Sequence, residues 1–257
     1  MSSNPFEIPK NWGNDYLSNF QNRAFQNELA TFVQAPQWQA ALLDVATVLN
    51  KCGQYAIEQL HKTDEPSAIL LFLAANNQFL ASVRSVSAGH CLATYPTGRA
   101  TVENALYGWY LSNTPEAAQR WNNKPNDKDG LRNWNKEFRF SVLTKKLSAI
   151  DNCLPEWANY LHQTAIDFGA HPNRDALYSN MVMESGENEG LVIKVVTLHP
   201  WNALSISTMK FTIETGMIAT RLFEMSFSEA SQQLNLREDL FRLTRNLSSL
   251  QDATKLA

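Results

Sequence analysis

The chain has 257 residues, 44% of them hydrophobic and only 18% charged, with a formal net charge of −3. So many apolar side chains supply a sizeable core, and the low charge with ten Gly and ten Pro excludes a disordered, collagen-like or linker-like chain. The mild negative charge excludes a protein that binds polyanions by bulk electrostatics alone.

Residues 1–14 read as an extended N-terminus, and MSSNPFEIPKNW has neither the basic nor the apolar region of a signal peptide. A cytoplasmic chain is therefore expected. From Pro36 to about Lys62, the positions Trp38, Leu42, Val45, Leu49, Cys52, Ala56 and Leu60 step by three or four and predict one long amphipathic helix. A second, broadly apolar helix is expected from Ser67 to about Leu92. Its uncharged run, Ser67 to Val83, is interrupted by Asn76, Asn77 and Gln78, so it reads as a core helix and not as a membrane span. Pro96 and Gly98 break the pattern, and a third helix is expected from Arg99 to Leu111.

Thr114-Pro115 opens a short helix to Trp121, and Asn122 to Gly130 is the clearest loop. Helical patterning resumes from Leu131 to Ile150, then from Leu154 to Phe168-Gly169, where Gly169 suits a left-handed helix end and Pro172 prevents continuation. Met181–Met183 and Leu191–Leu198 flank Ser-Gly-Glu-Asn-Glu-Gly and predict a β-hairpin. Two last helices cover about Asn202 to Met225 and Leu236 to Leu250. The expectation is a single all-α domain, 1–257, a bundle of seven or eight helices with one inserted hairpin.

Hydrolase, P-loop, dinucleotide, zincin and EF-hand motifs are absent, and no two of the five histidines are spaced i, i+4 for a shared metal. No cofactor and no metal is expected. Cys52, Cys91 and Cys153 are odd in number and far apart, so they read as reduced, mostly buried thiols.

Three polar features stand out. Arg99 and Glu103, four apart on one helix, meet on one face near Tyr107; they read either as a structural ion pair or as the wall of a ligand pocket. The turn Gly169-Ala170-His171-Pro172-Asn173 is either a helix stop with Asn173 capping Arg174 to Tyr178, or a rigid loop presenting His171. Between Arg120 and Lys146, eight basic side chains face three acidic ones, a local +5 against −8 for the remainder. There Lys128, Arg132, Lys136 and Arg139 form a stripe opposite Trp134 and Phe138, either a solvated helix face or a track for nucleic-acid phosphates.

RATVENALYGWYL followed by SNTPEAAQRW, with GAHPN some tens of residues later, resembles uncharacterised bacterial all-helical proteins that are distantly similar to the HEPN superfamily. The resemblance spans about residues 67–173. It implies a small helical bundle, often dimeric, and many such proteins are toxin ribonucleases or nucleotide-binding partners in defence systems. On this basis the expected function is a non-catalytic binding or regulatory module. Its site would be Arg99, Glu103, Tyr107, His171 and Asn173, on a homodimer that meets a small ligand or a protein partner and no membrane. The alternative is a metal-independent ribonuclease. The superfamily's nuclease signature is an Arg, four to six residues, then a His, and Arg84 and His90 carry that spacing here, although Ser85 replaces the usual Asn, Asp or His after the Arg.

Overall fold

The computed structural model describes residues 10–185 and 191–255. Among these there are twelve α-helices and one antiparallel two-stranded sheet, so the chain is all-α with an inserted hairpin. The helices are α1 (Tyr16–Gln34), α2 (Pro36–Gln59), α3 (Ser67–Ser87), α4 (Cys91–Asn113), α5 (Ala117–Asn122), α6 (Lys128–Glu137), α7 (Phe140–Leu147), α8 (Leu154–Ala165), α9 (Arg174–Tyr178), α10 (Ala203–Ser226), α11 (Ser228–Gln233) and α12 (Leu236–Lys255). Strands β1 (Met181–Ser185) and β2 (Leu191–Val195) pair with Met183 opposite Ile193. The expected hairpin turn falls largely on residues 186–190, and most of the extended N-terminus on residues 1–9, both outside the described residues; residues 10–13 form a turn.

The twelve helices exceed the seven or eight expected, for local reasons. Helix α1 was not anticipated, because its apolar residues do not form one stripe: Tyr16, Leu17, Phe25, Leu29, Phe32 and Val33 all lie exposed. Its start is nonetheless encoded, since the Asp15 carboxylate accepts from the Ser18 N–H. The expected helix over 131–150 is two helices, α6 and α7, broken at Phe138-Arg139. There the Tyr107 hydroxyl donates to the Phe138 carbonyl, a tertiary bond that local spacing does not announce. Short α11 follows α10 after Phe227.

The expected break at Pro96 and Gly98 is also corrected, because α4 runs unbroken from Cys91 through both residues. Pro96 carries no N–H, which leaves the Leu92 carbonyl four residues back without its helical donor. Gly98 is a packing residue, not a breaker. A Cβ there would come within 2.4 Å of the Phe211 ring on α10. Tyr95, Val102, Leu106 and Trp109 on α4 join Phe72 and Phe79 on α3 and Phe211, Ile218 and Phe223 on α10 in one hydrophobic cluster. Helices α3, α4 and α10 make the most extensive contacts, and α2 packs on α3 and α10. Among the described residues, α3 alone is long and apolar enough to cross a membrane. Ala68, Ile69, Phe72, Ala75 and Phe79 of α3 are buried, whereas Leu70 and Leu80 are exposed.

After α8 the chain makes a turn of π-helix, Ile166–Ala170, which packs on α4. Gly169 has φ 169°, not the left-handed conformation expected of it. Glycine is needed there for proximity, since a Cβ would lie 2.6 Å from the Leu92 carbonyl oxygen.

Candidate functional site

Two segments converge on the middle of α4. Arg99 Nε donates to Glu103 Oε1 at 2.8 Å, the one-turn contact that their spacing predicts. His162, one turn before the end of α8, contacts the same oxygen through Nε2 at 3.0 Å. The loop after the π-turn brings His171 Nε2 to 3.0 Å from Arg99 Nη1. Chemistry assigns the tautomers. An ionised carboxylate only accepts, so His162 donates from Nε2. A guanidinium only donates, so His171 accepts at Nε2 and carries a proton on Nδ1.

The arrangement is half-buried. The side chains of Arg99, Glu103 and His162 are 25%, 33% and 15% exposed, and His171 is exposed. Burial pushes the Glu103 carboxyl up, but hydrogen bonds from His162 and Arg99 outweigh it and hold the group below the ordinary carboxylate range. The His162 ring is stacked on Phe140, centroids 3.9 Å apart, so α7 fixes its plane. Among the described residues, Arg99 Nη2 and His171 Nδ1 make no hydrogen bond. The cluster therefore offers two unspent donor nitrogens beside a carboxylate whose Oε1 already takes two hydrogen bonds.

Tyr107 lies one turn beyond Glu103, and burial, then the Glu103 charge, raises its phenol. Its hydroxyl is committed to the Phe138 carbonyl, and its ring packs edge-on against Trp121 at 5.0 Å. Asn173 is partly exposed, and its carbonyl accepts the first α9 bond from Leu177 N. His162 escaped the sequence reading because it lies 59 residues from its partner. The only trace of it is a histidine on an amphipathic helix.

Arg84 and His90 are both turned to α1. Arg84 Nε pairs with Glu28 at 3.2 Å, its side chain 80% exposed. The His90 ring packs edge-on against Phe20 at 5.3 Å, and burial pushes its pKa down. Lys128, Arg132, Lys136 and Arg139 are all exposed, and none joins a salt bridge among the described residues. Arg132, Lys136 and Arg139 share a shallow hollow of about 500 Å³ with Asp129 and Asn133. On the same segment Trp121 and Trp134 stack at 4.8 Å, with Lys124 Nζ 4.9 Å from the Trp134 ring centre.

Cys52 and Cys91 are buried, and burial raises the Cys52 thiol to about 12. Cys153 departs from expectation and is exposed. No group of three or more His, Cys, Asp or Glu side chains among the described residues is arranged to hold a metal. Comparison with protein-family models, with curated proteins and with solved structures finds no significant match.

Proposed function

We propose that the chain is a non-catalytic binding module, HEPN-like in type, that receives an anionic group at the edge formed by Arg99 and His171. One observation carries this reading. Two histidines from distant segments converge on an ion pair that α4 completes by itself, and the Arg99 Nη2 and His171 Nδ1 donors at its outer edge make no hydrogen bond among the described residues. A pair serving only helix register needs neither histidine. An anion seated there takes hydrogen bonds from Arg99 Nη2 and His171 Nδ1, while Glu103 and His162 hold the guanidinium in place.

Calorimetric titration with AMP and with inorganic phosphate tests it. Binding by the native chain, weakened about tenfold or more in Arg99→Gln and in His171→Ala with the fold intact by circular dichroism, supports the reading. Equal affinity in all three, or no binding, rejects it. The ribonuclease reading on Arg84 and His90 has less support, because both side chains are engaged with α1. RNA cleavage in EDTA that disappears in Arg84→Ala restores it.

The homodimer is part of the same proposal. Its support is the number of exposed apolar side chains on α1, Tyr16, Leu17, Phe25, Leu29, Phe32 and Val33. A monomer mass by light scattering at high protein concentration removes it.

A further inference from the structure

A second polar centre lies away from α4, where α10, α11 and α12 meet. Glu224 on α10 is buried, its side chain only 3% exposed. Its carboxylate accepts from Ser231 Oγ at 3.0 Å, from Arg237 Nε at 3.0 Å and from Arg221 Nη1. Burial pushes this carboxyl up, but the hydrogen bonds from Arg237 and Ser231 and the charges of both arginines hold it below the ordinary range. Arg221 also reaches Asp151 at 3.7 Å. Arg237 differs. It spends Nε on Glu224, its side chain is 83% exposed, and neither Nη makes a hydrogen bond to a described residue.

Both arginines line two adjoining cavities. One, of about 580 Å³, has a mixed polar and apolar lining that includes Glu224 and Ser231. The other, of about 540 Å³, has apolar walls, among them Leu154, Trp157, Met217 and Phe241. That volume is in the range of small-molecule sites, which pair an apolar body with a few placed polar groups. The charged groups lining the apolar cavity are Asp151, Arg221 and Arg237, a formal +1. Buried Glu224 fixes the Arg237 fork, as a second shell fixes a ligand-binding group. Phe241 is 71% exposed and lines this apolar cavity.

We infer that this cleft binds an apolar monocarboxylate, its carboxylate on the free Nη edge of Arg237 and its hydrocarbon body between Trp157 and Phe241. One free guanidinium edge matches one planar carboxylate in two parallel hydrogen bonds. A dianion is disfavoured, because Arg221 is already spent on Glu224 and Asp151.

Decanoate, decanol and decyl phosphate are titrated into the full chain by calorimetry. In parallel, alkylation of Cys153 by a maleimide reports occupancy, since this exposed thiol lines the same cavity. Decanoate binding about tenfold tighter than decanol, with slower alkylation of Cys153, is expected. Arg237→Gln abolishes that preference, with thermal unfolding as the control for fold. Phe241→Ala, which does not touch Glu224, weakens decanoate and decanol alike. The inference is overturned if decanoate fails to bind or leaves Cys153 unprotected. It is equally overturned if decanol binds as well, if decyl phosphate binds more tightly, or if Arg237→Gln keeps the preference.

Discussion

Glu103 and Glu224 are two carboxylates in similar company and different solvent. Each gathers a residue one turn away on its own helix, Arg99 for Glu103 and Arg221 for Glu224, and each adds partners from other segments. Glu103 is one-third exposed, and its partners are the more buried His162 and Arg99. Glu224 is nearly inaccessible, and its arginines face solvent. Burial thus falls on opposite members of the two clusters. Where the carboxylate is buried, its cations are structurally required, because water cannot replace them. Where it is half-exposed, water can stand in for a lost partner, and the cluster is free to serve a ligand.

The sharpest way to break this contrast is to remove the cations. Replacing Arg221 and Arg237 together with Gln leaves Glu224 charged and buried, and is expected to cost about 3–5 kcal/mol in urea denaturation. Adding Glu224→Gln recovers most of that loss. Without recovery, the buried charge is not the cause.

Acid gives the next largest effect. Both carboxyls lie below their ordinary value of 4.5. Their stabilisation is fully present above that value and is lost as pH falls through the lowered folded pKa. Between pH 5 and pH 3 the native chain should lose stability more steeply than Glu224→Gln. Parallel curves for the two proteins contradict the assignment.

Arg99→Gln is expected to cost only about 0.2–1 kcal/mol, because the pair is partly exposed. A loss comparable with that of the double arginine variant erases the contrast. Smallest is Arg84→Ala. This side chain is largely in water, and the midpoint of unfolding should move by less than the equivalent of about 0.5 kcal/mol.

The sequence makes α2 and α12 legible through an apolar stripe, α3 and α10 through long, broadly apolar runs, and α8 through the Leu154-Pro155 start and the Gly169 and Pro172 stops. Helix α1 lacks such a stripe. Its evidence is one cap at Asp15, too small a signal to outweigh apolar residues scattered round the helix. The Arg99–Glu103 contact is visible because four residues make one helical turn. The histidines are not, because no local rule links position 99 to 171 or 103 to 162. Glu224 has a faint local sign in Arg221, three residues before it. Its burial, which makes it consequential, depends on where α12 docks.

The proline inside α4 has a consequence for engineering. The Leu92 carbonyl that Pro96 leaves unserved is the same atom against which Gly169 is pressed, two residues before His171. The seat of the histidine loop is therefore a fault in the backbone of the neighbouring helix. Pro96→Ala would mend that fault, and by ordinary helix energetics it should raise the melting temperature. It would also supply the Leu92 carbonyl with an internal helical donor beside the close approach of Gly169. Selection for heat resistance alone would favour that replacement.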